Sequence, residues 1–481
     1  MSTLKTRSSA DQNRDLEAVN RMRQASKRTW ASSMVLHIIC YPSSGSLRLR
    51  RTSWLDGVRG VAAMTVFIFH AMGCWAPIVP AWRADTHQTN PIQLPLVRTI
   101  FVAGGGAVSV FFVLSGYVLT HRCLRLIRAG SPHGVYPAVA SSTFRRGFRL
   151  YLPPILLTFC EMLATRFGFA PPLNFEFIPE PTFQGQFCDW LVETNRLVNP
   201  IHNFSGAIRG LVQHPKYDAV IWTIPVEFYG SMVCYLLLLT LAPVSRNTPR
   251  MASVASLSLL SMALGSWNIF CFTAGMLLAD FNLGQEEDDS PIIARTTSTR
   301  KHRLFLWTTI FLVSFYILGF PTLVFPDART NPMPGFETLR ALISVAAGGF
   351  GGAMEDPARF WWSIAGVALL LSVSQLPRLR AVFETYLCQY LAKISFSLYL
   401  VHEFCLVLFG LKLQGLLMWF AGVETQSKGM GYWVICVVWS VMFTVPVFAL
   451  AAQVERWVDV PSVRFAKWLE ERCLRVYKSL H

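Results

Sequence analysis

Arg59, His70, Arg149, Glu161, Glu227 and His402 stand inside apolar stretches of the sequence. An ionisable side chain at the centre of a membrane helix costs about 2.5 to 3.5 kcal/mol on insertion scales, so such residues are either paired within a bundle or functional. Arg59 and His70 are ten intervening residues apart. Eleven helical steps of about 100° bring His70 back to within about 20° of Arg59, after a rise of about 16 Å. One face of one helix would then carry a guanidinium near a membrane surface and an imidazole near the middle of a hydrocarbon core about 30 Å thick. That spacing suits a donor whose phosphates stay at the surface while its reactive group reaches inward on a neutral arm, as acyl-CoA does. An imidazole, with an ordinary pKa of about 6.5, is also a natural general base for a hydroxyl.

Arg146 and Arg149 share a helix face, with Arg145 beside them. Guanidinium groups bind phosphate through paired hydrogen bonds, so with Arg59 they could hold the CoA phosphates; the plainer reading is ordinary basic flanking of a span. Glu227 follows Pro225 in Trp222-Thr223-Ile224-Pro225-Val226-Glu227. Its carboxylate could orient His70, bind an acceptor hydroxyl or pair with an arginine. Ser395, Tyr399 and His402 fall on one helix face, where His402 either lines an acceptor site or satisfies the bundle. Gly104, Gly105 and Gly106, with Ser109, Ser115 and Gly116, allow a close approach of backbones or of a ligand. The eleven cysteines show neither a C-x-x-C pair nor a Cys/His ligand spacing, which predicts no metal site and no disulfide framework.

The elements that must position these groups are membrane helices. The chain is 53% hydrophobic and 15% charged, far to the apolar side of soluble domains. Its net charge of +15 gathers between apolar runs, as the positive-inside rule expects, which argues against nucleic acid as a partner. Segments at 58–78, 99–120, 148–167, 219–242, 251–265, 267–281, 304–324, 359–375, 390–411 and 431–454 can be read as spans of about 20 residues. The expectation is an all-α, polytopic membrane bundle of about ten helices. Its basic N-terminal tail, 1–52, would be cytosolic and disordered; the helical domain would cover 53–455; a second basic cytosolic tail would cover 456–481. The polar loops 168–218 and 326–358 then face the other side. The first contains the sequon Asn203-Phe204-Ser205, open to glycosylation if that side is luminal, as in an endoplasmic reticulum or other endomembrane protein.

The same residues carry a family resemblance. Ser53 to Ala63, from Ser53-Trp54-Leu55-Asp56-Gly57-Val58-Arg59 onward, with His70 ten residues after Arg59, resembles the opening of the acyltransferase 3 family of membrane acyltransferases. Phe111 to Tyr117 is similar to that family's second-helix signature, Arg146 to Arg149 to its Arg-x-x-Arg motif, and Trp222 to Glu227 to its Trp-Ser-x-x-Val-Glu motif. Ile394 to His402 is similar to its Ser-Tyr-Ser-x-Tyr-Leu-x-His segment. Ser109 stands where bacterial members often have an acidic residue, and Phe228 where they have a second glutamate; both departures resemble the fungal branch.

The resemblance implies acyl-CoA-dependent O-acylation, commonly acetylation, of a glycan, lipid or secondary metabolite, with no tightly bound cofactor. It assigns catalysis to His70 supported by Glu227, CoA binding to Arg59, Arg146 and Arg149, and acceptor contacts to Ser109, Tyr399 and His402. His70 would either deprotonate the acceptor directly or carry the acyl group itself. Two other classes compete: a secondary transporter, since buried Arg, His and Glu also build proton paths, and an inactive member that only binds a lipid or partner. The lack of an internal inverted repeat lowers the first, and retention of Arg59, His70 and Glu227 argues against the second.

Overall fold

A computed structural model of the chain describes residues 49–76, 82, 91–169, 178–208, 211, 213–288, 297–323, 333–347, 354, 356–423 and 429–480. The expected N-terminal tail therefore lies outside the described residues except for its last four positions. The described residues are helical, with no strand among them. In chain order the helices are α1 (Ser53–Gly73), α2 (Val97–Val102), α3 (Gly104–Arg128), α4 (Val135–Arg166), α5 (Phe183–Val198), α6 (Pro200–Ile208), α7 (Thr223–Leu241), α8 (Asn247–Ala263) and α9 (Trp267–Asp288). There follow α10 (Thr297–Leu318), α11 (Phe336–Ala347), α12 (Ala358–Gln375), α13 (Pro377–Phe383), α14 (Tyr386–Cys405), α15 (Leu411–Ala421), α16 (Met430–Val454) and α17 (Val460–Leu480). Single π-helical turns, Leu406–Gly410 and Glu455–Asp459, join α14 to α15 and α16 to α17.

Each of the ten apolar segments coincides with a helix, but length and hydropathy do not confirm ten crossings. Among the described residues, six helical stretches are long and apolar enough to cross a membrane, or seven if α12 and α13, bent by 105° where Pro377 follows Leu376, form one broken span. The segment at 251–265 lies in α8, only 17 residues long. The one at 99–120 is split at Ala103, so that short α2 precedes α3. The expected polar loop 168–218 also holds helices: α5, where the Thr182 hydroxyl accepts the Gly185 N–H at 3.0 Å, and α6. The expected C-terminal tail is α17, packed on α4 through Arg145 with Glu470 at 3.3 Å and the Phe148 and Phe465 rings at 6.0 Å.

Two packed pairs frame the site. Helices α1 and α14 run side by side in the same direction: Gln389 Nε2 donates to Ser53 O at 2.8 Å, and further along both helices Arg59 Nη2 donates to Ala392 O at 3.3 Å. Gly60 permits the approach, since a Cβ there would lie 2.4 Å from the Ala392 nitrogen. Helices α3 and α9 meet as closely, with Gly116 against the Phe272 carbonyl and Gly275 against that of Val113. Small residues let backbones meet where lipid supplies no hydrophobic drive. At one end of this second pair, Asp280 bridges Arg128 at 2.7 Å and Arg250 at 2.7 Å, a buried charge set in which each carboxylate oxygen is occupied.

Candidate active site

A cavity of about 580 Å³ opens between α1, α3, α4, α7, α14 and the junction of α16 with α17. Five cationic side chains line it, Arg59, Arg146, Arg149, Lys393 and Arg464, against the carboxylates of Glu227, Glu455 and Asp459. Phe111, Phe112, Leu150, Ile224 and Phe396 make much of the remaining wall apolar. The three arginines expected from sequence to act together are thus brought together from α1 and α4. Arg149 is exposed to the cavity, while Arg59 is held by the Ala392 carbonyl and by Asp56 at 3.1 Å.

Glu227 does not reach His70. Its carboxylate pairs with Arg146 Nη2, and Arg146 Nε donates to Ser231 Oγ at 2.9 Å. Of the alternatives open for this carboxylate, the pairing with an arginine is the one the structure contains. The effect is to hold Arg146 flat against α7 on the cavity wall. Lys393 is held in a similar way by Glu455 at 2.9 Å. Both cations are fixed in advance, which removes part of the side-chain ordering cost of binding an anion.

Tyr399 lines the cavity, and its hydroxyl donates to the Val220 carbonyl while Thr223 Oγ1 lies 2.7 Å away. Since a carbonyl only accepts, Thr223 must donate to Tyr399. One turn beyond Tyr399 on α14 is His402, with ring centroids 6.0 Å apart, and 5.1 Å from the His402 ring is that of His70. His70 itself does not line the cavity. The imidazoles form a packed pair beyond Tyr399, further along the parallel α1 and α14 than Arg59.

A residue absent from the sequence reading completes this cluster. Glu403 Oε2 lies 3.3 Å from His70 Nδ1. Its signal was present, since Glu403 is a carboxylate within the apolar segment 390–411 and directly follows His402. What the sequence does not contain is the register of α14 on α1, which alone places it opposite His70. Together His70, His402 and Glu403 offer ligating atoms within 4.8 Å of one another, the spacing of a possible cation site. The expectation of no metal site rested on spacing along the chain, to which a cluster drawn from two helices is invisible.

Three other expected residues stand elsewhere. Ser109 is fully buried, its hydroxyl directed back to the Gly105 carbonyl at 3.5 Å, and it does not line the cavity. It serves the packing of α3, whose backbone at Ser109 faces Gly366 of α12. Glu161 is buried in α4 away from the cavity wall. Asn203 is buried, its Nδ2 donating to the carbonyls of Arg196 at 2.8 Å, Leu197 at 3.1 Å and Asn199 at 3.1 Å. That nitrogen is the atom to which a glycan would be joined, so the fold of α5 and α6 opposes the sequon reading. The described cysteines are all free.

Residues 52–449 match the model of an acyltransferase domain, that of the acyltransferase 3 family. The chain belongs to this family. The match spans Arg59, Arg146, Arg149, His70 and Glu403, and stops before Glu455 and α17. Among similar proteins, the O-acetyltransferase PaAT-1 of Phomopsis amygdali is 29% identical over 451 residues, covering 89% of this chain and 86% of that protein. Acyltransferase R4 of a Phoma species is 24% identical over 470 residues, 85% of this chain and 94% of that one. Acyltransferase clz18 of Cochliobolus lunatus is 24% identical over 464 residues, with the same coverage. No solved structure matches the chain. The protein is thus an acyltransferase built on membrane-spanning helices, with fungal relatives.

Proposed function

We propose that the protein transfers an acetyl group from acetyl-CoA to a hydroxyl of a lipid, glycan or secondary metabolite, in the endoplasmic reticulum or another endomembrane. The observation that carries this reading is the cavity itself: a wall of five cations and an apolar wall, with Tyr399 on its lining one turn from His402 and the histidine pair. The diphosphate and ribose phosphate of CoA would meet Arg59, Arg146, Arg149, Lys393 and Arg464, and the neutral pantetheine arm would follow Phe111, Phe112 and Phe396 inward. With the N-terminus and the basic segments cytosolic, the cavity mouth faces the cytosolic pool of acyl-CoA.

Catalysis requires the thioester to pass Tyr399 and the acceptor oxygen to reach His70. His70 takes the hydroxyl proton as the oxygen attacks the thioester carbonyl; the C–O bond forms, the C–S bond breaks, and the leaving thiolate recovers that proton from His70. No net charge is left once the thiolate is protonated, and no covalent enzyme intermediate is needed. The name of the Phomopsis relative supports acetyl as the group and oxygen as the acceptor atom. Detergent-purified protein should bind acetyl-CoA, and Arg149→Ala should weaken that binding about tenfold or more, the scale of a lost charge-assisted contact. Unchanged acetyl-CoA binding in a variant lacking both Arg146 and Arg149 would overturn the donor assignment.

A further inference from the structure

We infer that Glu403 is the positioning residue for His70: it holds the imidazole by Nδ1 so that Nε2 is the atom presented to the acceptor hydroxyl. The inference rests on the reading of His70 as general base. Its foundation is a match of two spacings on two helices. Arg59 lies against Ala392, and eleven residues further along each helix His70 lies against Glu403, at 3.3 Å in both places. Two parallel helices with the same rise per residue keep such a register, so α14 returns a carboxylate to His70 at the depth set by the contact at Arg59.

The chemistry of the cluster selects the tautomer. Glu403 Oε2 is buried with no hydrogen-bond partner, and the atom facing it is His70 Nδ1. A small rotation of the ring turns this 3.3 Å approach into a hydrogen bond, in keeping with the loosening of catalytic contacts before substrate is bound. An ionised carboxylate only accepts, so Nδ1 must carry the proton and Nε2 the lone pair. His402 is set by the same logic: its Nδ1 lies 3.1 Å from the Leu398 carbonyl, which also only accepts, and its Nε2 is buried without a partner. Two bare Nε2 atoms thus belong to rings whose centroids are 5.1 Å apart. During transfer the proton moves from the acceptor oxygen to His70 Nε2 and from there to the thiolate, and Glu403, as a carboxylate, stabilises the transient imidazolium.

The test is Glu403→Gln, which keeps an acceptor oxygen of the same reach and removes the charge. In purified enzyme that elutes as folded protein, acetyl-CoA binding and KM should stay within about twofold, while kcat falls about 10²-fold or more. Measured in a His70→Ala background above the uncatalysed rate, the same substitution should cost nothing further, because a residue acting only through His70 has nothing left to act on. Equal kcat for Glu403→Gln and wild type overturns the inference, and so do losses that multiply in the double variant. Stoichiometric metal in the purified enzyme, with activity lost to a chelator and restored by zinc, also overturns it by making Glu403 a ligand instead. A His70→Ala enzyme with normal turnover would remove the reading on which the inference rests, an outcome distinct from an inert Glu403.

Discussion

Arg59 and His70 occupy one face of one helix yet meet different surroundings, and their substitutions should separate accordingly. Arg59 faces the cavity and is tied to Asp56 and Ala392, whereas His70 lies off the cavity lining beside Glu403 and His402. Arg59→Ala should raise KM for acyl-CoA about tenfold or more with a smaller effect on kcat. Arg59→Lys should recover only part of this, since an ammonium cannot reproduce the planar donor fork. Steady-state kinetics at saturating acceptor read both. The arginines and His70 were legible in the sequence because an ionisable residue in an apolar run is conspicuous alone. Glu227 was conspicuous too, but its partner was not: the sequence admitted three roles, and only the packing of α4 on α7 chooses Arg146. Ser109 was assigned by family position, and the turn of α3 instead buries it.

At the scale of elements, the pairing of α1 with α14 is what joins the donor cavity to the histidines. Gly60→Ala puts a methyl 2.4 Å from the Ala392 nitrogen and 2.8 Å from the Cys388 carbonyl, both backbone atoms that cannot step aside. The helices must separate, so the variant should lower the thermal midpoint and lower kcat, and it should do so without removing any charged group. The segment joining α6 to α7 gives a second prediction. Burial pushes the Asp218 carboxyl up to about 7 from its ordinary 3.8, despite the Val220 N–H bonded to Oδ1 at 2.8 Å, with the charge of Glu403 adding to the rise. The folded chain then keeps a proton that the unfolded chain releases near 3.8, so this group's contribution to stability falls as pH rises from about 4 to 7 and is constant above. Asp218→Asn should flatten that part of the melting profile and raise the midpoint above pH 7. For α5 and α6, treatment with a glycosidase should leave the mobility of the expressed protein unchanged, because the Asn203 amide is engaged in three backbone contacts. A mobility shift abolished by Asn203→Gln would show that these contacts yield. The helices themselves were legible from apolar length, since no other spanning structure satisfies its own backbone groups along a single segment. Their breaks were not: Ala103, the turn before Pro377 and the two π-helical turns depend on the neighbours each helix meets.

The whole molecule holds its candidate donor site between parts far apart in the chain, from Arg59 to Arg464. The last of these lies on α17, beyond the residues 52–449 that the family model matches, so this helix adds a cavity wall to the matched domain. Arg464→Ala should raise KM for acyl-CoA about two- to fivefold, the modest effect of an exposed cation, and leave His70-dependent chemistry intact. The membrane class and the family were legible from composition and from motifs in order. The crossing number was less so, because hydropathy alone does not distinguish a span from a helix such as α8. The central claim is that these distant parts form one donor path ending at His70. It is tested most directly by transfer of radiolabelled acetyl from acetyl-CoA, comparing detergent-purified wild type with a His70→Ala variant that elutes as folded protein. The account predicts that His70→Ala binds acetyl-CoA as wild type does and transfers the label about 10²-fold more slowly or worse. Normal transfer by His70→Ala would contradict it and leave the histidine pair as a structural contact between α1 and α14.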